Sequence, residues 1–549
     1  MKQIIEIYKL IGENSQKKIP LFFFLTIIST LLEILSIGLI VPLISLLSDS
    51  TDSYVSNFFF QSYDIYILLT VVLLVYLIKT IYLIFFNKWQ NDLIFDINLY
   101  LSNQLFDRYL NIDYSFYLKR NSSELVRNIV NLENFAYNII QSIILISEII
   151  LVICFSLILF FFQPIITLYS LTIGILLSFI FIRIINLKII KAGELYQSQS
   201  KKMIEQVNQS LNNIKEIKIY QKEIFFAKKF FEDTKIYNNA IKKNQFLKSL
   251  PRILIEFIAV SIVILIIFFM IIENKNFKDI LVFVALFVAV GFRFIPSFNK
   301  ILSSIHHLKF YLKLTENIKN DFNLINNYPE KHKIIYFDKT IELKNISFYY
   351  EDKKNILSNI NLSIKKNSVF GIFGKTGSGK TTLINILIGL LKPTEGIIEI
   401  DSIPSQLNNV SWLKKIGYVP QRVSLNEGSV AENIAFGNSK WDVDKDKLSE
   451  VMKLSMLQSF SAESNFLERD IKEIGKNLSG GQIQRMGIAR ALYVRPEILI
   501  LDEATSNLDK QVEKKIIHVI KELSKQTTVI IITHDPNLIK ECENVHNLG

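Results

Sequence analysis

Apolar residues dominate roughly the first 305 positions of this 549-residue chain, whereas the remainder alternates short apolar runs with polar segments. A helix needs about 20 mostly apolar residues to cross a hydrocarbon core of roughly 30 Å. Six stretches reach that length, at residues 20–47, 65–86, 137–162, 164–186, 253–272 and 279–303. The pattern predicts an all-α polytopic membrane domain of six long helices, followed by a domain of a different kind.

Lysine and arginine are distributed unevenly between these stretches. Residues 48–64 contain neither, whereas residues 187–252 contain many, among them Lys188, Lys191 and Lys201. Positive residues accumulate on the cytoplasmic side of a membrane. We therefore expect the first loop to lie outside, and both termini and the C-terminal domain to lie in the cytoplasm.

The two cytoplasmic connections, residues 87–136 and 187–252, keep helical apolar spacing beyond the predicted spans. This spacing predicts membrane helices that continue into the cytoplasm and turn back at a tip. Asn and Ser residues interrupt the pattern at residues 113–126 and 211–220, which favours tips at those positions. Ordinary exposed loops are the alternative interpretation of the same residues.

The net charge of +11 has the sign that nucleic-acid binding requires, but much of the positive excess flanks the apolar stretches. That placement is typical of the cytoplasmic face of a membrane protein, so we expect no nucleic-acid partner. The cysteines Cys154 and Cys542 lie far apart in the sequence. They indicate neither a disulfide framework nor a metal cluster.

After a polar linker near residues 315–335, the stretch SVFGIFGKTGSGKTTLINILIGLL indicates a buried strand, a glycine-rich loop and a helix. It contains the pattern G-x-x-x-x-G-K-T at Gly374, Gly379, Lys380 and Thr381. In such a loop the backbone N–H groups surround phosphates, the lysine neutralises the β- and γ-phosphates, and the threonine hydroxyl binds Mg²⁺. The C-terminal domain is therefore expected to bind a nucleotide.

A second motif, EILILDEATSNLD, places the acids Asp502 and Glu503 directly after an apolar strand. In a hydrolytic site Asp502 would hold Mg²⁺ through water, and Glu503 would polarise the attacking water. By itself the stretch is equally typical of a core strand that ends in solvated acids. The sequence LSGGQIQRMGIARAL at residues 478–492 precedes it closely and favours the catalytic interpretation.

LSGGQ is the signature of ATP-binding cassette (ABC) proteins, and the other motifs of that family follow in its order over residues 341–535. The resemblance implies an α/β P-loop cassette that binds ATP and Mg²⁺. It implies catalytic roles for Glu503, for His534 in IITHD and for Gln421 in YVPQ, and Mg²⁺ ligation by Thr381, Gln421 and Asp502. The implied nucleotide-binding residues are Tyr350, Gly374, Lys375, Thr376, Gly377, Ser378, Gly379, Lys380, Thr381, Thr382, Ser479, Gly480, Gly481, Gln482 and Asp509.

Six spans ahead of one cassette resemble the half-transporters of ABC exporters. The resemblance implies a membrane domain at residues 1–320, with coupling helices near 113–121 and 211–220, and a cassette at residues 321–549. It also implies a homodimer in the bacterial cytoplasmic (inner) membrane, because ATP lies between the phosphate loop of one cassette and the LSGGQ of another. Only fifteen residues follow His534, fewer than the family normally has, so its sheet is expected to end early or to be finished differently.

Residues 32–49, 117–129 and 293–301 are similar to the branch that includes bacterial lipid-linked oligosaccharide flippases. The similarity implies that the protein flips a lipid-linked oligosaccharide, or a related polyprenyl-pyrophosphate glycolipid, outward by alternating access. A peptide or bacteriocin exporter and a multidrug or lipid exporter are the alternatives. Arg293 and Arg252 are the candidate contacts for a pyrophosphate headgroup.

Arg293 lies in the sixth apolar stretch, on a strip formed at four-residue spacing by Ala285, Ala289, Arg293 and Ser297. Small and polar residues at this spacing favour a helix face that is turned toward a neighbouring helix or the transport pathway. Snorkelling of the arginine to the cytoplasmic interface is the alternative.

Overall fold

A computed structural model describes residues 10–39, 65–162, 164–272, 295–324, 334–350, 355–438, 442–458, 466–471, 478–505 and 509–548. The chain divides into two compact units. Met1–Ile112 and Lys119–Tyr328 form the first unit, and Asp113–Leu118 and Pro329–Gly549 form the second. The division after Tyr328 lies within the predicted linker, whereas the domain boundary predicted after residue 320 lies within a helix.

Every described element before this division is helical. The helices are α1 Glu13–Gly38, α2 Ile65–Asn111, α3 Tyr114–Lys119, α4 Ser122–Val130, α5 Leu132–Phe162, α6 Pro164–Asn212, α7 Ile214–Ile219, α8 Glu223–Ile272, α9 at residues 295–310 and α10 Leu312–Leu324. Helices α2, α6 and α8 have 47, 49 and 50 residues. At 1.5 Å per residue each is about 70 Å long, roughly twice the thickness of a hydrocarbon core. They therefore extend beyond a bilayer, as their apolar spacing predicts.

Four described helical segments are long and apolar enough to cross a membrane: Glu13–Ser36, Tyr66–Asn111, Leu132–Cys154 and Glu223–Ile272. They overlap the first, second, third and fifth predicted spans, and residues 40–47 of the first span lie outside the described residues. The fourth predicted span, residues 164–186, forms the first part of α6, and residues 295–303 of the sixth are helical. The prediction of a helical, multi-pass membrane domain is confirmed.

Short helices occupy both predicted cytoplasmic tips, α3 in the first connection and α7 in the second. The turn that follows α3 is defined by Asn121, which caps α4: its side-chain Oδ1 accepts a hydrogen bond from the Ser123 N–H at 3.1 Å. Asn is a preferred capping residue because its side chain satisfies a backbone donor that has no partner within the helix. Both tips are thus helices rather than ordinary loops.

Close backbone packing joins α6 to α9 in the first unit. A Cβ atom on Gly193 would lie 2.0 Å from the carbonyl oxygen of Phe310, so only glycine fits at this crossing. Around it Ile185, Ile189, Ala192, Leu247 and Phe310 form a buried apolar cluster. Apolar burial and the absence of a side chain at residue 193 together hold these helices in contact.

The described part of the second unit contains three sheets and the helices α11 Lys380–Ile388, α12 Val410–Leu413, α13 Val430–Ile434, α14 Lys445–Leu454, α15 Gly480–Tyr493, α16 Lys510–Leu523 and α17 Pro536–Ile539. Its strands are β1 Thr340–Tyr349, β2 Asn355–Lys365, β3 Val369–Phe373, β4 Glu395–Ile400, β5 Ile403–Pro404, β6 Ile416–Val419, β7 Gly428–Ser429, β8 Asp470–Ile471, β9 Ile498–Asp502, β10 Thr528–Thr533 and β11 Asn544–Asn547. The strand orders are β2-β1-β4-β5, β11-β3-β10-β9-β6 and β7-β8. The five-stranded sheet is parallel, and every residue of β9 and β10 is buried, as its apolar runs predict.

The register of the parallel sheet gathers the predicted motifs at one edge. Thr533 pairs with Phe373, and Ile532 pairs with Asp502, so β3, β9 and β10 end side by side. Ligands of such sheets bind at the carboxyl ends of the strands. Strand β11 pairs in parallel with β3 and is the edge strand on that side of the described sheet.

Candidate ATP-hydrolysis site

The loop between β3 and helix α11, Lys380–Ile388, has the backbone that phosphate binding requires. Gly377 and Gly379 have φ angles of +86° and +93°, in the left-handed region that glycine adopts without strain. A Cβ on Gly374 would lie 2.6 Å from the Ser378 Oγ, so the loop closes tightly on itself. Lys375, Thr376 and Gly377 are exposed at its tip.

The side chains of this loop fit a phosphate ligand. The buried Lys380 donates hydrogen bonds from Nζ to the carbonyl oxygens of Gly374, at 2.7 Å, and Lys375, at 3.0 Å. The Ser378 Oγ is buried and has no hydrogen-bond partner in the described chain. An ammonium group that contacts neutral carbonyls and an unsatisfied buried hydroxyl are both complementary to phosphate oxygens.

Asp502 ends β9 and is 7% exposed. Tyr418 of β6 donates a hydrogen bond from its Oη to Asp502 Oδ2 at 3.2 Å. Burial raises the pKa of the Asp502 carboxyl above its ordinary value, while the hydrogen bond from Tyr418 opposes that shift. Tyr418 therefore favours the ionised form of the acid.

Oxygen ligands suitable for Mg²⁺ lie at the same edge of the sheet. Asp502 supplies a carboxylate, Thr381 an exposed hydroxyl at the start of α11, and Gln421 an exposed amide after β6. Among the described residues, no group of three or more His, Cys, Asp or Glu side chains could hold a metal ion by itself. This donor set fits Mg²⁺, which commonly binds through one or two carboxylates together with substrate phosphates.

Glu503 is held from two sides. Gln421 Nε2 donates to its Oε2 at 2.7 Å, and the His534 Nδ1 lies 3.1 Å from its Oε1. Its backbone has a φ of +48°, an uncommon conformation for a residue with a Cβ atom, and its N–H donates to the Ile532 carbonyl at 3.0 Å. Strain of this kind persists where surrounding contacts determine the backbone, and it is frequent at active sites.

Tyr350 directly follows β1 and lies close to the start of α11. Its Oη lies 3.5 Å from the Thr382 Oγ1, and its ring packs edge-on against Phe348, with 5.0 Å between the ring centroids. About a third of the side chain is exposed. An aromatic face is thus available beside α11, where stacking against a nucleobase was expected.

The residues of LSGGQ form the N-terminus of a helix. Ser479 caps α15, Gly480–Tyr493: its Oγ accepts from the Gln482 N–H, and Gln482 Oε1 accepts from the Ser479 N–H at 2.7 Å. Gly480 is exposed, and a Cβ there would contact nothing within 4 Å. Among the described residues, the side chains of Ser479 and Gln482 are bonded to each other's backbone, and Ser479 and Gly480 are exposed.

Asp509 occupies the N-cap position of α16, Lys510–Leu523, without making a side-chain cap hydrogen bond. Its charge opposes the lowering of the Arg485 pKa, which burial of that guanidinium causes. Arg485 lies on α15 and donates from Nε to the Gly481 carbonyl at 3.1 Å. Asp509 is therefore linked electrostatically to the helix that LSGGQ begins.

Only one of the two candidate substrate residues lies within the described structure. Arg252 lies on α8, is exposed, and donates from Nε to Glu256 Oε1 at 3.0 Å, four residues further along the same helix. Arg293 lies outside the described residues, as do Ala285 and Ala289. Ser297, also in the proposed strip, is fully buried on α9.

Two family models match the chain. The model of the ABC transporter transmembrane region matches residues 19–294, half of the chain, and that of the ABC transporter matches residues 357–506. The chain belongs to the ABC transporter family. The residues of the second match include the phosphate loop, LSGGQ and Glu503 of this ABC transporter.

Relatives of this ABC transporter carry the same two parts. A putative export ATP-binding/permease protein of Rickettsia conorii is 29% identical over 391 residues, which cover 66% of this chain and 65% of that protein. A multidrug resistance ABC transporter ATP-binding and permease protein of Lactococcus lactis is 34% identical over 212 residues, covering 38% of this chain and 35% of the relative. The chain thus spans just under two thirds of the length of the Rickettsia relative.

A solved structure extends the similarity in fold to almost the whole chain. A bacterial Atm1-family ABC exporter with ATP bound superposes with a TM-score of 0.78 at 20% sequence identity, covering 98% of this chain and 93% of that one. The prediction of a helical membrane domain followed by an ATP-binding cassette is confirmed by this fold.

Tyr418 is a residue of the ABC transporter's site that its motifs did not single out. It lies in the strand IGYV, three residues before Gln421, and reaches across to Asp502 at the end of the neighbouring strand. The sequence feature that could have pointed to Tyr418 is a polar aromatic residue within a short, half-buried strand. The sequence did not show which residue it would meet.

Proposed function

We propose that this ABC transporter hydrolyses ATP to drive export across the bacterial cytoplasmic membrane. The observation that carries the proposal is the position of Glu503 beside the buried Asp502, with one carboxylate oxygen bonded to Gln421 and the other close to His534. A carboxylate oriented in this way is suited to accept a proton from an attacking water. The phosphate loop lies at the same sheet edge.

In the proposed hydrolysis, each side chain of the site has a separate role. When bound, Mg²⁺ would neutralise charge on the β- and γ-phosphate oxygens. Asp502, Thr381 and Gln421 would provide its oxygen ligands. On ATP binding, the Lys380 Nζ would donate to phosphate oxygens in place of the two loop carbonyls. The Ser378 hydroxyl would then also have a hydrogen-bond partner. Glu503 orients the attacking water and accepts its proton, while His534 holds the Glu503 carboxylate in place.

We expect the chain to act as a homodimer with two composite ATP sites. The exposure of Ser479 and Gly480 in LSGGQ supports this, because ATP in this family lies between the phosphate loop of one cassette and the LSGGQ of another. The membrane spans and the distribution of lysine and arginine support a multi-pass protein of the inner membrane, with its cassette in the cytoplasm. The division into membrane domain and cassette, with α3 and α7 as coupling helices, belongs to the same proposal.

The proposed cargo is a lipid-linked oligosaccharide or a related polyprenyl-pyrophosphate glycolipid. The similarity of residues 32–49, 117–129 and 293–301 to the flippase branch supports it. Arg252 adds an exposed guanidinium near the cytoplasmic end of the fifth predicted span, and a guanidinium can bind phosphate oxygens in a bidentate manner. Arg293, the first candidate contact, lies outside the described residues.

Reconstitution tests the cargo directly. Purified protein is placed in liposomes with a fluorescent polyprenyl-pyrophosphate oligosaccharide, and ATP-dependent movement between leaflets is scored by the accessibility of the label. We expect movement with wild-type protein and none with the Glu503→Gln variant. Absence of movement, with ATPase activity retained, would contradict the lipid-linked cargo while leaving ATP hydrolysis intact.

A multidrug or lipid exporter is the second candidate, because the Lactococcus relative is named as a multidrug resistance transporter. A peptide or bacteriocin exporter is the third. Stimulation of the ATPase by hydrophobic drugs, and not by polyprenyl-pyrophosphate lipids, would favour the second candidate. ATP-dependent uptake of a labelled peptide into inverted vesicles would favour the third.

A further inference from the structure

One carboxylate, that of Asp321 near the end of α10, collects donors from three other positions in the first unit. It is fully buried and accepts hydrogen bonds from Tyr109 Oη at 2.6 Å and Asn128 Nδ2 at 2.8 Å, together with an ion pair from Arg120. Tyr109 and Asn128 are buried as well. A buried charge with this many donors has a narrowly determined geometry.

The partners of Asp321 lie where the chain passes between the two units. The chain leaves the first unit after Ile112, returns to it at Lys119, and leaves it again after Tyr328. Tyr109 comes three residues before the first passage, Arg120 follows directly after the return, and Asp321 comes seven residues before the last. Asp321 lies on α10, the helix that leads into the linker. Through Tyr109 and Arg120 it therefore holds the chain both before and after the segment Asp113–Leu118.

Further contacts hold the group formed by Tyr109, Arg120, Asn128 and Asp321, the Asp321 node. Arg108 donates to the Phe322 carbonyl at 3.2 Å and lies over the ring of Phe322. Arg127 donates to the Asn128 Oδ1 at 2.8 Å and to the Gln197 carbonyl of α6 at 3.2 Å. The node is thus connected to a helix that continues into the membrane.

The segment between the two anchored positions has its own contact in the second unit. Asn408 Nδ2 donates to Asp113 Oδ1 at 2.9 Å. The neighbouring Leu407 carbonyl lies so close to Gly389 that a Cβ there would be 2.2 Å away. Gly389 ends α11, the helix that the phosphate loop begins. Asp113 therefore touches residues that pack on the far end of the phosphate-loop helix.

We propose that Asp321 is a positioning residue that couples the membrane unit to ATP turnover, by holding both flanks of Asp113–Leu118 and the linker helix to one point. The proposal rests on the ATP-driven transport proposed above. An ion pair withdrawn from water is often no more stabilising than apolar residues of the same volume. We therefore assign the Asp321 contacts a role in fixing positions rather than in adding stability. Loss of the carboxylate loosens the segment that contacts Asn408.

Cross-linking measures this directly and without a substrate. Asp113→Cys and Asn408→Cys are combined in a chain that carries Cys154→Ser and Cys542→Ser, and the pair is joined by a short bifunctional thiosulfonate. In this background Asp321→Asn and Tyr109→Phe are each expected to lower the cross-linking rate several-fold, well below the unfolding temperature. Arg120→Gln is expected to act similarly, and Arg120→Lys, which keeps the charge, to recover part of the rate.

ATPase activity without the cysteine pair supplies the second readout. We expect the Asp321 and Tyr109 variants to lower kcat while the KM for MgATP stays unchanged. Asp96→Asn is the matched control, because it removes an acid from an exposed ion pair with Lys18 in the same unit. If Asp321→Asn does not fold, Tyr109→Phe, which removes only a hydroxyl, decides the question.

Wild-type cross-linking in folded Asp321→Asn or Tyr109→Phe protein would overturn the proposal. If the wild-type protein hydrolyses no ATP, the proposed function fails, whereas the cross-linking rate still reports whether Asp321 positions the segment. The two failures are therefore distinguishable.

Discussion

Tyr418 donates its phenolic hydrogen to Asp502 across two neighbouring parallel strands, with 3.2 Å between Oη and Oδ2. Burial disfavours the ionised form of Asp502, and this hydrogen bond counteracts that effect. The protonation of Asp502, the acid proposed to bind Mg²⁺, thus depends on a residue 84 positions earlier in the chain.

The Tyr418→Phe variant tests that dependence. Without the hydroxyl, Asp502 loses a donor and should bind Mg²⁺ about 3- to 10-fold more weakly, which corresponds to about 0.7–1.4 kcal/mol. The measurement is the Mg²⁺ dependence of ATPase activity, with kcat at saturating Mg²⁺ expected near the wild-type value. Tyr336→Phe, at an exposed tyrosine of the same unit, is the control. An unchanged Mg²⁺ dependence would show that the hydrogen bond is incidental.

Glu503→Gln should abolish turnover while ATP binding persists. The amide keeps the size of the side chain but cannot accept the proton of the attacking water, so a loss of at least about 10²-fold is expected. Phosphate release and binding of a fluorescent ATP analogue measure the two properties separately. Glu522→Gln, at an exposed position paired with Lys525, is the control. Near-normal ATPase activity in Glu503→Gln would rule out the proposed role.

Gly193→Ala should weaken the contact between α6 and α9. The added Cβ would lie 2.0 Å from the Phe310 carbonyl oxygen, so the helices must separate, at a cost of about 1–3 kcal/mol. A lower unfolding temperature in detergent, measured by intrinsic fluorescence, is the expected result. Glu194→Ala changes the exposed neighbour and should have little effect. Equal unfolding temperatures for the two variants would contradict the close crossing.

The stability of the first unit should fall as the pH falls from 6.5 to 4. His306 and His307 follow the sixth predicted span, and burial lowers the pKa of each from 6.5 to about 4, with the positive charge of Lys248 acting in the same direction. In this interval the unfolded chain binds protons that the folded chain excludes, so acid favours unfolding.

Unfolding temperatures at pH 7.5 and pH 5.5 check this expectation. The His307 Nδ1 lies 2.8 Å from the Asn138 Oδ1, and His307→Gln retains a polar partner for Asn138 without a titrating group. This variant should lose less stability on acidification than the wild-type protein. His518→Gln, at an exposed histidine of the cassette, should behave as wild type. A wild-type response in His307→Gln would exclude His307 as a source of the acid sensitivity.

Local patterns predicted much of the architecture and only part of the site. The apolar stretches located the long helices, because a span must satisfy its backbone internally over a set length. The glycine-rich loop was predictable because its φ angles require glycine at defined spacings. Contacts between distant positions could not be predicted in this way. Gln421 and Glu503 are 82 positions apart, and His534 lies a further 31 beyond Glu503.

The node at Asp321 shows the same limit more strongly. In the sequence Asp321 is one acid in a polar linker region, and its partner Arg120 lies 201 positions earlier. Nothing in the spacing of either residue indicates that Asp321 is withdrawn from water or that the two form an ion pair. Only packing of α2, α4 and α10 around them determines that.

The sequence by itself determined that this protein has a helical membrane part and a nucleotide-binding cassette, since hydrophobic periodicity and glycine spacing act over a few residues. The tertiary structure alone decided which polar side chains meet. Tyr418 reaches Asp502 because the parallel register places it opposite Ile500, two residues before Asp502. Asp321 meets Tyr109 and Arg120 because the fold brings α10 to the end of α2 and to the turn before α4. A charge or hydroxyl acquires such a role from its neighbours and its burial, and neither is encoded locally.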